Sequence, residues 1–222
     1  MKKLLLNVAM IVFVATAFTS CKDEKKDATT GEEKDAVAAT DSAVDYEVDT
    51  EMSVINWMGE KPTGTHTGTI KLSNGTLAVN NEMIEAGKFN IDMNSIENQD
   101  LEGEAKANLE SHLKGTVEGK EGDFFNVNKY PDATFELTGV TTENGKTMVN
   151  GNLTMKEKTN NISFPAAVTF AGDNMTLKSE KFMIDRTKWD VNYGSKSLFD
   201  NLGDKFISDN IELQIELQAK NM

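Results

Sequence analysis

Few side chains in this sequence are equipped for chemistry. There is one cysteine, Cys21, one arginine, Arg186, and two histidines, His66 and His112. Two histidines cannot supply a three-His catalytic zinc site within one chain, and a lone cysteine gives neither a CxxC redox pair nor an internal disulfide. No GxSxG elbow, P-loop or HExxH run occurs. Carboxylates are plentiful, yet no spacing marks a glycosidase-type pair. The expectation is a protein that is not an enzyme and that requires neither metal nor cofactor.

The polar residues that remain suit recognition. Arg186 stands between Asp185 and Trp189. Its planar fork would match a phosphate, carboxylate or amide oxygen at a pocket mouth, or equally a structural ion pair with Asp185 or another carboxylate. His112 follows Asn108 by one helical turn and adjoins Leu113, so it reads either as facing a ligand entrance or as a packing histidine. His66 lies in Gly64-Thr65-His66-Thr67-Gly68 and is read as making a structural hydrogen bond. Trp57, Phe124, Phe125 and Tyr130 are candidates for a pocket wall or for core. The 11 methionines add flexible thioethers suited to irregular cavities, though Met1 and Met10 belong to the leader.

The elements that must position these residues read as β. Ile211-Glu212-Leu213-Gln214-Ile215-Glu216-Leu217 alternates at period two, placing four aliphatic side chains on one face. Similar alternation occupies 89–93, 135–138 and 162–170, and Asn74-Gly75, Asn144-Gly145 and Gly172-Asp173-Asn174 read as hairpin turns. Strands are expected near 47–58, 65–72, 76–81, 85–94, 132–142, 146–156, 160–171, 174–185 and 205–219. Leu101, Ala105, Leu109 and Leu113 recur at spacing four and predict an amphipathic helix over 98–114, with a second short helix or turn near 195–201. The class is all-β with one or two short helices, as a closed antiparallel barrel or a sandwich. An eight-stranded barrel either fills with side chains or holds one small apolar ligand, and the pattern alone fits both.

The N-terminus reads as an address. Two lysines precede an apolar run over 4–18, shorter than the roughly 20 residues of a membrane span, as in a secretory signal. Ala17-Phe18-Thr19-Ser20-Cys21 resembles the lipobox of bacterial lipoproteins, with Phe18 and Thr19 departing from the commonest residues. That likeness implies a signal peptide over 1–20 and an acylated Cys21, palmitate included, that anchors the chain in the cell envelope. Residues 21–44 are polar and expected to form a disordered tether, and the folded domain spans 45–222. Lys22-Asp23-Glu24 resembles an export signal of Bacteroidota lipoproteins, or is mere linker. Asp41-Ser42-Ala43 matches a short glycosylation motif of the same phylum. The expected location is the outer membrane, on its periplasmic or surface face. A net charge of −13 argues against a nucleic-acid partner.

Longer motifs then carry a family likeness. Phe89-Asn90-Ile91-Asp92-Met93-Asn94-Ser95-Ile96, His112-Leu113-Lys114, and Phe124-Phe125-Asn126 leading to Tyr130-Pro131-Asp132-Ala133-Thr134-Phe135 resemble the YceI-like family of secreted lipid-binding proteins. Gly151-Asn152-Leu153-Thr154-Met155-Lys156, Ile162-Ser163-Phe164-Pro165 and Ile184-Asp185-Arg186-Thr187-Lys188-Trp189 continue the likeness, which spans about 46–219. It implies an extended eight-stranded antiparallel lipocalin-like barrel that holds a polyisoprenoid, isoprenoid quinone or fatty amide without performing chemistry. Family members often form dimers, so a homodimer is expected among the partners. The ligand-facing set then comprises Phe89, Ile91, Ile96, Leu109, His112, Phe124, Phe125, Phe135, Leu137, Phe164, Phe182, Ile184, Arg186 and Trp189. Asn126, Lys156-Glu157-Lys158 and Trp189 depart from the family pattern, which bears on headgroup preference more than on fold. The alternative is a solid-cored envelope stress or surface module acting through protein contacts.

Overall fold

The computed structural model describes residues 26–222, so the expectations for the signal peptide and Cys21 lie outside the described residues. The strands, in chain order, are β1 (Lys26–Asp27), β2 (Thr29–Gly31), β3 (Val44–Val48), β4 (Val54–Lys61), β5 (Gly64–Asn80), β6 (Met83–Asn98), β7 (Asp132–Glu143), β8 (Lys146–Met155), β9 (Lys158–Ala171), β10 (Asn174–Ser179), β11 (Phe182–Asp185) and β12 (Asn210–Asn221). One helix, α1 (Gly103–Lys114), joins β6 to β7, and 3-10 turns occupy Arg186–Trp189 and Gly203–Lys205.

These strands close into an antiparallel ring of eight positions. β3 with β4 forms one interrupted position and β10 with β11 another, and β12 pairs with both. Closure is made by aliphatic cross-strand neighbours, Ile215 opposite Ile55, Leu217 opposite Leu177 and Ala219 opposite Val48. A closed ring leaves few backbone edges unpaired, and period-two alternation then sorts side chains into lumen and exterior. Where β10 parts from β12, the Ser179 hydroxyl accepts the Ile215 N–H at 2.8 Å and keeps that donor paired.

Two expectations are corrected, and a third is narrowed. Asn74-Gly75 makes no hairpin turn. It sits inside the long strand β5, beside a register shift at Leu72/Asn74, and the chain reverses at Asn81-Glu82, whose φ angles are 50° and 59°. Gly75 serves close approach instead, since a Cβ there would lie 2.7 Å from the Phe89 ring. The helix starts at Gly103, not 98, because Asn98 ends β6. Its buried side chain accepts the Leu101 N–H at 2.8 Å and donates to the Thr67 carbonyl at 3.0 Å. Of the expected stripe, Ala105 is exposed, while Leu109 and Leu113 turn toward the barrel opening. Of the short helix or turn expected near 195–201, the structure has the turn, with the Phe199 N–H donating to the Ser195 carbonyl at 3.0 Å. Gly194 and Asn201 both adopt φ of 64°, and Ser195 bridges to Ile207.

The free tether expected up to residue 44 is also not what the structure describes. Beyond the point where β10 takes leave of β9, the edge of β9 at 161–163 and the edge of β11 at 182–183 have no mutual partner. β1 pairs in parallel with β11 and β2 antiparallel with β9, closing that seam, with Ala28 buried and its N–H donating to the Met183 carbonyl at 2.8 Å. The chain then crosses the outside of the barrel. Lys34 and Asn152 exchange two hydrogen bonds at 3.1 and 2.6 Å, and Thr40 donates from its N–H and hydroxyl to Glu85 at 2.8 and 2.7 Å. Asn152 and Asn161 face outward by strand alternation and are buried nonetheless, joined to each other at 3.0 Å beneath this strap.

Candidate functional site

The lumen divides into a packed half and a hollow half. The packed half is built on four phenylalanines. Phe164 and Phe182 stack with centroids 4.4 Å apart and planes 6° apart, Phe135 lies 5.9 Å from Phe164, and Phe89 lies 6.2 Å from Phe135. Gly151 admits this plug, since a Cβ there would stand 2.2 Å from the Phe135 ring. Rings offset or tilted at such separations gain beyond their buried area.

Beyond the plug lies a cavity of about 510 Å³, at the end where β4 turns into β5, β8 into β9, and α1 and the 186–209 connection cross the barrel. That volume falls within the usual range of ligand sites. Ile91, Met93 and Ile96 of β6, Leu153 and Met155 of β8, and Ile211 and Leu213 of β12 form its wall. Ile211 and Leu213 pack against the core yet are only half-buried. Leu109, Leu113 and Phe125 cover part of the opening. The rim is polar, with Glu60, Lys61, Thr63, Asp204, Lys205 and Ser208.

Two carboxylates fix the histidines at this opening. His112 Nε2 lies 2.6 Å from Asp123 Oδ2, and the imidazole meets Phe124 and Tyr193 edge-on at 5.0 and 4.9 Å. His66 Nδ1 lies 2.8 Å from Asp100 Oδ2. Burial pushes the Asp100 carboxyl up, but hydrogen bonds from the Thr67 N–H, His66 and Asn98 prevail and hold it at about 2. The Lys156 ammonium donates to the carbonyls of Phe124 (2.7 Å) and Asp190 (2.8 Å), tying the β8–β9 turn to both mouth loops. Burial lowers its pKa, with the Asp190 charge acting in the opposite sense.

Of the residues expected to face a ligand, Ile91, Ile96, Leu109, His112, Phe124, Phe125, Ile184 and Arg186 border this cavity. Phe89, Phe135, Leu137, Phe164, Phe182 and Trp189 do not. They belong to the packed core, Trp189 being fully buried with its Nε1 donating to the Leu153 carbonyl at 2.9 Å. Arg186 touches the cavity wall, but its donors are spent elsewhere: Nε on Ser208 O (3.0 Å), Nη1 on Val191 O (2.5 Å) and Nη2 on Ile207 O (3.1 Å). Asp209 stands 3.6 Å away, and Asp185 caps Thr187 instead. Burial lowers the Arg186 pKa, against the charges of Asp209 and Asp185. The arginine fastens the mouth loop; the geometry offers its fork to carbonyls and not to the lumen.

Several cavity residues were absent from the expected set, among them Ile55, Ile70, Met93, Met155, Ile211 and Leu213. The alternation of β12 was a signal for the last two. The others required knowing which half of each strand lies below the plug. Among the described residues no three His, Cys, Asp or Glu side chains gather as a metal site, and no helix is long and apolar enough to cross a membrane.

The YceI-like domain model matches residues 46–219. Among solved structures, BcnA of Burkholderia cenocepacia is similar at 21% identity and a TM-score of 0.60, over 78% of this chain and 99% of that one. A polyisoprenoid-binding domain from Saccharophagus degradans, implicated in plant cell wall breakdown, is similar at 14% identity and a TM-score of 0.56, over 81% and 99% of the two chains. At these identities the likeness is one of fold. No curated protein matches the chain significantly.

Proposed function

This chain belongs to the YceI-like domain family, and from that premise we propose that its hollow half binds one long-chain amphiphilic lipid, a polyisoprenoid, isoprenoid quinone or fatty amide, as a carrier that performs no chemistry. The observation that carries the reading is the contrast within one lumen: an aromatic plug closes one half, while the other half keeps an aliphatic-walled cavity of about 510 Å³, with Ile211 and Leu213 only half-buried. A solid-cored module would have no reason to leave Ile211 and Leu213 uncovered. At about 25 cal/mol per Å², burying roughly 400 Å² of hydrocarbon would contribute on the order of 10 kcal/mol before the entropic costs of binding. Such a tail lies against the wall of β6, β8 and β12, and its head sits among the rim residues Lys61, Thr63, Lys205 and Ser208.

The same reading places the protein at the bacterial cell envelope, held by an acylated Cys21. Purification of the full chain from bacterial envelopes, followed by organic extraction and mass spectrometry, is expected to give a long-chain lipid at one equivalent per chain. Preparations that bind no lipid from envelopes or from added prenyl alcohol would overturn the carrier reading. Metabolic labelling with an alkyne fatty acid tests the anchor separately, and Cys21→Ser is expected to abolish the label.

A further inference from the structure

The aromatic plug also bears on how much of a lipid the barrel can take. On three strands the cavity wall begins two residues from a plug ring: Ile91 follows Phe89 on β6, Ala133 precedes Phe135 on β7, and Ile184 follows Phe182 on β11. Those three aliphatic residues line the cavity, and the phenylalanines do not. Residues two apart share a face of a strand. In each case the lining residue is the one nearer the mouth, because β6 and β11 run into α1 and the 186–209 connection, and β7 comes from the segment that carries Phe124 and Phe125. The rings therefore stand beneath the cavity floor. On their far side Leu77, Leu137, Val149, Met175 and Leu217 are each at most 3% exposed and belong to the packed core. A tail that reaches the floor has no path beyond it.

The volume above the floor then translates into a length. At the packing density of protein interiors a methylene takes up about 25 Å³, so a cavity of about 510 Å³ holds a tail of about 20 carbons. A bilayer sets no such limit. While the cavity has room, each methylene that leaves a bilayer exchanges one apolar surrounding for another. Once it is full, each further methylene is left in water, and partition into the protein falls roughly fourfold for every one.

We propose that the plug of Phe135, Phe164 and Phe182 is a chain-length stop. The protein then selects single-tailed lipids of about 20 carbons or fewer, an acyl chain or about four isoprene units, over longer polyisoprenoids. This rests on the carrier reading and narrows its ligand class.

The test uses residues 21–222 with Cys21→Ser, which keeps every described residue and carries no acyl anchor to hold it on vesicles. The protein is incubated with phosphatidylcholine vesicles containing equimolar straight-chain primary fatty amides of roughly 12 to 28 carbons, then re-isolated, and its bound chain lengths are read by mass spectrometry. Occupancy relative to vesicle content is expected to be level up to about 20 carbons and to fall roughly tenfold or more for each two carbons added thereafter. Phe135 is the plug ring to truncate, since it is only partly buried and its loss leaves the stacked Phe164–Phe182 pair in place. Phe135→Ala vacates about 100 Å³, which its neighbours recover only in part, and is expected to move the fall upward by about two to four carbons. Phe135→Leu, the milder truncation, is expected to raise occupancy just beyond the limit by about fourfold, the equivalent of one methylene. A level profile through the longest amide, or a fall that stays in place in both variants, overturns the stop and leaves the carrier reading standing. Binding of no amide at any length takes down both.

Discussion

Arg186 illustrates how far a residue's type foretells its work. Its singularity and its place after β11 were legible in the sequence. Its role was not, because the carbonyls it holds belong to residues 191, 207 and 208, which only the closed barrel brings together. Lysine cannot span three acceptors with one ammonium. Arg186→Lys is therefore expected to lower unfolding free energy by about 1–3 kcal/mol in urea titrations, through buried carbonyls left unpaired, while bound lipid survives under native conditions. A headgroup-binding arginine would show the opposite split. Asp100 gives a second residue-scale expectation. With its pKa lowered from 3.8 to about 2, the folded state takes up this proton later than the unfolded chain. The stabilisation is thus present above about pH 4 and fades as pH falls toward about 2. Asp100→Asn is expected to cost less than about 1 kcal/mol at neutral pH, the side chain being partly exposed, and to cost nothing near pH 2; denaturant midpoints at the two pH values check it.

At the scale of elements, the sequence was most legible where one residue type does one job. The alternation of β12 and the turn at Asn144-Gly145 read directly. The turns at Asn81-Glu82 and Lys156-Glu157 fall at the breaks between expected strands but carry no glycine to mark them, their positive φ being borne by residues without glycine's freedom. Lys156 compensates with its ammonium on two mouth-loop carbonyls. The strap was hidden more completely. A polar segment with Gly, Glu and Lys carries the composition of a linker, and Asn152 and Asn161 sit at outward positions where polar residues are ordinary. Only the seam between β9 and β11 explains why residues 26–31 become strand. If the strap is held by Asn152, then Asn152→Leu, which removes both bonds to Lys34 and strands Asn161 Nδ2 with Thr138 alone, should destabilise by about 1–3 kcal/mol. Amide exchange should accelerate first over 28–40, ahead of the barrel.

For the whole molecule, the decisive feature is that one barrel contains two interiors. The sequence offered no way to separate them, since Phe164 and Leu213 are equally apolar and equally inward. What divides them is side-chain packing: Phe135, Phe164 and Phe182 lie against one another and fill their part of the lumen, with Gly151 yielding space, whereas their cross-strand neighbours Leu153 and Leu213 are aliphatic and border the cavity. The two halves must therefore respond oppositely to changes of volume. Phe164→Ala empties a packed site and is expected to cost about 3–5 kcal/mol. Leu213→Trp adds volume where the wall is uncovered, and is expected to leave the urea midpoint within about 1 kcal/mol of wild type while reducing bound lipid well below one equivalent. A Leu213→Trp protein that unfolds as readily as Phe164→Ala would mean that overpacking is felt in both halves. The hollow half would then be a filled core, and the lipid-carrying reading would lose its physical ground.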